Sequence, residues 1–456
     1  MRLVLPALCL TAFCCAAGVT SAEDLRVSPA QARVLAIEAL QRGHPALAAQ
    51  LAQGLLLADR ANGEAHFILA RAYQLMRQPD LARKPARLAF AHATTTAGKF
   101  QAAQFAARLA IEDQKHLAAQ IWLRRSLLHL PDERFREQVV KDYRLISRMS
   151  PWQLSLQTSL APTDNLNNGA NSPYSTIDGV PIFGFLSGSA QALSGVRGTA
   201  DLGLSYRLSG TKAQSTHVSL RYYGQRVDLS DEARVQAPSL TNSSLAFDYL
   251  ELGLSQNRKA KGNGQWSFGA SLGQSWSSQD PYQQTLRVNL GRGLELGKQN
   301  RLSVTAQAER LRYESGLPDV TSLSLHGTLS HQTAEDHRFS LSLSLKDAQS
   351  RNANARQQKV SATLGWASGT ALGPVTPSAS LGASLNHYAD YSLGFFAVPG
   401  GREDRSVFGQ MEFTLQALDY GGFVPSLTVQ ARKTTSNVSR FETRETTVSL
   451  GVKSSF

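Results

Sequence analysis

The sequence predicts an α + β chain of two parts: an N-terminal all-α, tetratricopeptide-like solenoid, then a fourteen-stranded antiparallel transmembrane β-barrel. Three observations predict it. From Trp152 onward the chain can be cut into segments in which apolar and small or polar residues alternate with period two. Before Trp152, apolar residues recur at helical spacing, and the turns between them repeat every 34 to 36 residues. The hydrophobic content is an ordinary 42% and the mean hydropathy is −0.23. A helical membrane protein would read as far more apolar, whereas a barrel has half of each strand facing water.

The elements follow in chain order. Residues 1–22 read as a secretory signal peptide: Met1-Arg2 is a positive start, Leu3 to Val19 an apolar run, and Thr20-Ser21-Ala22 a small-residue cleavage site. The run is too short and too N-terminal to favour a spanning helix. Cys9, Cys14 and Cys15 all lie inside it, and Phe13 precedes Cys14 where a lipidated cysteine has a small neighbour. Cleavage after Ala22 leaves a mature chain without cysteine, hence without disulfide or thiol chemistry.

Residues 23–150 form the helical domain, expected in the periplasm. Ser28-Pro29 reads as an N-cap followed by Pro at the first helical position. Gly43-His44-Pro45, Gln78-Pro79-Asp80 and Gln114-Lys115-His116 read as turns, and Leu47-Ala48, Leu81-Ala82 and Leu117-Ala118 follow them. A helix-turn-helix period near 34 residues is that of tetratricopeptide repeats. Pro85 lies inside the fourth helix and is expected to kink it or end its first part. The domain carries 19 basic and 12 acidic residues. That balance favours acidic partners in a binding role and otherwise amounts to solvated helix faces.

Residues 151–456 form the barrel, with strands expected at 152–163, 196–209, 216–227, 243–258, 264–278, 282–297, 300–315, 322–333, 337–350, 356–369, 375–390, 404–420, 423–437 and 440–456. The longest gaps, 164–195, 228–242 and 391–403, all follow odd-numbered strands and therefore all lie at one end, opposite the helical domain. In the fifth strand Trp266, Phe268, Ala270, Leu272 and Trp276 share one face. At ~3.3 Å per residue and ~40° tilt the two tryptophans lie about 25 Å apart, the height of an apolar band between aromatic girdles. In the ninth, Phe339, Leu341, Leu343 and Leu345 alternate with three serines. Glu309, Arg310 and Arg312 leave the register of the seventh open. In the last strand Val448, Leu450, Val452 and Phe456 share a face, and this ending on Phe456 resembles the signal read by outer-membrane barrel assembly machinery.

Motifs of chemistry resolve into structure. Gly269-Ala-Ser271-Leu-Gly273 matches a nucleophile elbow but falls in mid-strand, where no strand-to-helix turn exists. The ten His are dispersed without metal-ligand spacing. Asp164, Asn165, Asn167 and Asn168 suit a cation loop, yet the same residues make a turn at a strand end. No catalytic residue, metal site or cofactor is expected, and nucleic acid is no partner in this compartment.

The junction Pro151-Trp152, an alternating strand, Pro162, and Asp164-Asn165-Leu166-Asn167-Asn168 resembles the surface lipoprotein assembly modifier (Slam) family, over essentially the whole mature chain. The resemblance implies an outer-membrane translocon of type XI secretion. Its periplasmic repeats would engage a cargo protein, either a surface lipoprotein or a soluble secreted protein, often tied to metal or haem capture. Further partners so implied are the barrel assembly machinery, periplasmic chaperones and outer-membrane lipid. Two alternatives stay open: an exopolysaccharide export porin, whose lumen should offer aromatics and acids to sugars, and a general outer-membrane channel, which leaves the helices unexplained.

Overall fold

A computed structural model of the protein describes residues 27–260 and 262–454. The expected signal peptide and the terminal Phe456 lie outside the described residues. The chain divides into two compact units, one ending at Gly98 and the other beginning at Lys99.

The first unit contains α1 (Pro29–Gln41), α2 (Pro45–Ala58), α3 (Gly63–Leu75) and α4 (Pro79–His92). Ser28 caps α1 in a capping box with Gln31. The α1/α2 and α3/α4 turns close alike: the amides of His44 and Gln78 reach back to the carbonyls of Ala39 and Tyr73, around left-handed Gly43 and Arg77. Alanines at 36, 39, 48, 49, 52 and 72 fill the core with Ile68 and Leu69, so the helices approach closely. α4 runs unbroken through Pro85, whose ring is buried beside Ala82, Ala86 and Ala89. The helix does not end at Pro85; burial of the ring among these alanines holds the helix through the lost N–H.

The boundary falls in the first turn of α5 (Thr96–Glu112), and α6 (His116–Leu127) and α7 (Arg134–Met149) follow in the second unit. The α5/α6 turn repeats the same closure, with Lys115 N–H bonding Ala110 O around left-handed Gln114. The barrel follows. Its strands are β1 (Trp152–Thr163), β4 (Gly195–Gly210), β5 (Gln214–Leu229), β6 (Phe247–Lys259), β7 (Gln265–Ser277), β8 (Asp280–Leu296), β9 (Asn300–Tyr313), β10 (Val320–Gln332), β11 (Arg338–Ser350), β12 (Gln357–Ala367), β13 (Thr376–Tyr388), β16 (Arg402–Thr414), β17 (Phe423–Ser436) and β18 (Thr443–Ser454). Among the described residues these fourteen strands close into one antiparallel barrel, β18 returning to β1. The end at which α7 enters β1 is called the near end, the other the far end. Two short hairpins, β2 (Tyr174–Ile177) with β3 (Val180–Phe185), and β14 (Ser392–Leu393) with β15 (Phe396–Ala397), decorate far-end loops.

Alternation sets the two faces. Leu323, Leu325, Leu341, Leu343, Leu345, Leu364 and Leu381 point outward and are exposed, while the serines between them face the lumen. In β7, Trp266, Phe268 and Leu272 point outward as expected. In β9, Glu309 faces inward, and Arg310 turns outward to Asp319 at 2.7 Å. Two boundaries differ from the sequence reading by four residues or more. The strand expected from residue 243 begins at Phe247, because Asn242 to Leu245 coil into a 3-10 turn tied by Asn242 to Asp228 and to the amide of Leu229. The strand expected to reach 420 ends at Thr414, and residues 415–422 form a near-end turn gripped by α6, described below.

Candidate functional site

Three features of the second unit make up the site: the lumen, the seam between first and last strands, and the near-end rim.

Small polar side chains carpet much of the lumen. Ser340, Ser342 and Ser344 on β11 face Gly365, Thr363 and Ser361 on β12. Gly269 and Gly273 leave hollows taken by Asn289 and by the Tyr249 ring, so these glycines of the apparent nucleophile motif serve cross-strand packing. Across this lining runs a ladder of ion pairs. Arg221 grips Asp201 with two bonds, at 3.0 and 2.6 Å. Arg287 reaches Glu251 at 2.6 Å and Glu309 at 2.9 Å, and Lys346 meets Glu309 at 3.4 Å. Tyr249 adds a 2.6 Å hydroxyl bond to Glu251. Adjacent charges of opposite sign satisfy one another within the wall. The ladder ends on a cationic patch: Lys359 stands directly opposite Lys346 on the next strand, and Arg432 lies over the Phe408 ring at 5.3 Å. On β18, Lys453 pairs with Glu412 at 2.6 Å.

The seam is built differently from the other strand junctions. β1 pairs with β4 over twelve consecutive residues, from Trp152 to Thr163. Among the described residues it pairs against β18 at 157–160 and then at Thr163. Pro162 interrupts this edge because it has no N–H to give. Backbones come close where pairing holds: a Cβ on Gly451 would sit 2.8 Å from the carbonyl oxygen of Thr158.

At the far end side chains replace the missing ladder. Glu445 of β18 accepts from Arg197 of β4 at 3.1 Å and from Thr163 of β1 at 3.2 Å, spanning the seam. The Asn-rich segment then folds the first loop over it. Asn165 is buried and closes a ring with Gly169, its side chain donating at 2.9 Å and accepting at 2.8 Å. Asn167 bonds the carbonyls of Ser189 and Gln191 and accepts from the amide of Leu193. Asn168 adopts the left-handed conformation at φ 52°. Asp164 accepts from the amide of Thr446, and Asn171 bonds both Glu442 and Arg444 across the seam. Farther along the loops, Arg402 pairs with Asp404 under the rings of Tyr388, Tyr391 and Phe441. Of the expected assembly-signal residues, Leu450 and Val452 point outward and pair with Leu160 and Thr158.

The rim joins helices to barrel through Arg124 of α6. Its guanidinium donates to the carbonyls of Gly421 and Gly422, each at 3.3 Å, to Ser454 Oγ at 2.9 Å and to Tyr143 Oη at 3.0 Å. The same group lies 4.7 Å from the Phe423 ring centre. Both glycines are left-handed, at φ 61° and 85°, which turns their carbonyls toward the arginine. Arg136 of α7, held above its ordinary pKa chiefly by Glu133, stands 3.9 Å from Asp419 in the same turn. On the other side of the seam Arg207 of β4 donates to the carbonyls of Met149 and Ser150, satisfying the open C-terminus of α7. Sequence reasoning missed Arg124 and Glu445, whose partners lie hundreds of residues away in the chain.

The family described as surface lipoprotein assembly modifier matches residues 152–456, the whole barrel. The chain belongs to that family. Solved structures are similar in fold at low identity. The outer membrane channel DcaP of Acinetobacter baumannii is 10% identical, with 67% of this chain and 97% of that one covered and a TM-score of 0.40. The type III secretion translocator chaperone SycD of Yersinia enterocolitica is 20% identical over 26% of this chain and 86% of its own, TM-score 0.24. The first TPR domain of human RPAP3 is 19% identical over 27% and 94%, TM-score 0.24. No curated protein sequence matches. Family and barrel are those of an outer-membrane channel or translocon.

Proposed function

We propose that this protein moves a cargo protein across the outer membrane, with residues 23–150 in the periplasm engaging the cargo and the barrel of 151–456 providing its path. The near end is then periplasmic and the long loops lie outside the cell. The observation that carries the reading is the Arg124 junction, which fastens helices of a protein-binding type to the rim of the barrel beside its seam. A simple diffusion channel has no use for that attachment. The lumen supports the same reading. Fourteen strands exceed the eight that side chains alone fill. A lining of serine, threonine and glycine bonds weakly to any polypeptide, and the paired ladder charges leave few fixed traps.

The test is cargo display. A neighbouring gene for a small secreted protein or lipoprotein supplies the candidate. That cargo is co-expressed with the intact chain, with the chain lacking residues 27–98, or alone, and its surface exposure is read by antibody on intact cells. Display that needs the intact chain supports the reading. Equal display in all three arms removes it and leaves a channel. An exopolysaccharide exporter would be revealed by loss of surface polymer in the deletion strain with cargo display unaffected.

A further inference from the structure

Along the lumen ladder the acids run out before the bases do. Arg221 is matched by Asp201, Arg287 lies between Glu251 and Glu309, and Lys346 takes the other oxygen of Glu309. Lys359 and Arg432 remain. Among the described residues neither has a carboxylate within salt-bridge distance. Acids close to them in register are engaged elsewhere. Glu445 stands opposite Arg432 on β18, but its carboxylate is taken by Arg197 and Thr163. Asp404 is taken by Arg402. Asp347 has the outward parity of Leu345.

The cations are brought together rather than spread. Lys359 lies directly opposite Lys346 on the neighbouring strand, a placement in which like charges repel. With Arg432 they stand within about 13 Å of the far ends of their strands. Arg432 reaches the patch from the other side. Three strand steps, about 14 Å along the wall, separate β12 from β17. In register Arg432 is level with Phe408, Gly382 and Thr363, four residues along β12 from Lys359. The Phe408 ring lies against Gly382, where a Cβ would collide with it. The guanidinium rests on that ring, 5.3 Å from its centre, which leaves its N–H edge open to a ligand. The charges bearing on the Lys359 ammonium are those of Arg432 and Lys346, both positive. Between the two levels runs a row of hydroxyls: Ser361, Ser384, Ser406 and Thr434 are successive neighbours across β12, β13, β16 and β17.

We propose that Lys346, Lys359 and Arg432, set around this hydroxyl floor, form an oxyanion-binding site in the far half of the lumen. A phosphate or carboxylate accepts from ammonium, guanidinium edge and hydroxyl at once, and it relieves the repulsion between the two lysines. A free oxyanion and the acidic side chains of a passing polypeptide offer that same chemistry. The site stands on the lumen wall alone, whether the barrel is a translocon or a channel.

The experiment uses the full chain in dodecyl maltoside micelles, which carry no phosphate, at an ionic strength fixed with chloride. Inorganic phosphate is the probe, and broadening of its phosphorus resonance reports binding. Hexaglutamate is the competitor and hexaglutamine its control. The unaltered chain should broaden the resonance saturably. Lys359→Gln with Arg432→Gln should weaken binding at least about tenfold, with heat-modifiable migration unchanged. Lys212→Gln with Lys298→Gln removes the same charge from two near-end turns and should change binding by less than about twofold, because charges that far off are screened. Competition by hexaglutamate and not hexaglutamine would assign the site to acidic polypeptide as well as phosphate. Phosphate binding without that competition would assign it to free oxyanions, and either result upholds the site. Absence of broadening by the unaltered chain, or equal loss in the two double variants, would overturn it. Should the Lys359 and Arg432 variant fail to reach folded migration, the unaltered chain decides. Phosphate should then raise its unfolding temperature above that in chloride of equal ionic strength, and no rise would overturn the site as well.

Discussion

At the scale of single residues, three equivalent turns close around left-handed Gly43, Arg77 and Gln114. Only the first is glycine. An L side chain in that conformation costs about 1–2 kcal/mol, partly offset because glycine loses more chain entropy on folding. Arg77→Gly should therefore stabilise the first unit by about 0.5–1 kcal/mol, seen as a higher urea midpoint for the helical signal of the full chain. His66 in the same unit makes a different prediction. It is buried, its Nε2 meets the Arg60 carbonyl oxygen at 3.0 Å, and burial lowers its pKa below 6.5. Between the lowered folded value and the ordinary one the unfolded chain binds more protons, so stability rises with pH there. The first unit should hold full stability above about pH 7 and lose it as the pH falls through 6.5, while His66→Gln should flatten that dependence. Urea midpoints at pH 5 and 7.5 decide it. Such residues were not legible beforehand. A histidine on an apolar helix face reads alike whether buried or bare, and nothing in Gln114-Lys115-His116 announces a left-handed glutamine.

At the scale of elements, strands were legible because lipid and water impose period two on every one of them. Leu341, Leu343 and Leu345 could be assigned to the outward face without coordinates, and so could the end of the barrel that carries the long loops. Strand ends were less legible. Residues 415–422 keep an apolar pattern, yet they leave the sheet because Arg124 competes for the carbonyls of the turn. The Asn-rich junction was legible as a turn, but not as a cover for the seam, since Thr446 and Glu442 lie far along the chain. Glu445 is the element-level test. Its carboxylate joins β18 to β1 and β4 where backbone pairing lapses after Leu160. Glu445→Ala should cost about 1–3 kcal/mol by leaving Arg197 partly buried without its carboxylate, with the Asn165 carbonyl as its remaining acceptor. The measured effect is a lower temperature for the shift from folded to unfolded migration. Gly451→Val should act more severely, because the new side chain meets the Thr158 carbonyl rather than a yielding side chain.

At the scale of the second unit, Arg124 ties a helix to the barrel through several bonds at once. Arg124→Ala removes bonds to Gly421, Gly422, Ser454 and Tyr143 together, so α6 should become cleavable by trypsin roughly tenfold faster with the barrel still heat-modifiable. Undiminished protection would show that packing of Leu128 on Gly421 suffices alone. The seam also has a consequence in time. It joins Gln157 to Lys453, so the wall closes only after nearly three hundred intervening residues have found their neighbours. Contacts so remote in the chain form slowly, because the entropy of a long loop is lost before any bond rewards it. The other neighbouring strands follow one another in sequence and zip locally. Closure should then be the slow step of folding and the first step of opening. An interrupted first strand means that the two meet at the same place, so the last contact made is also the first one lost.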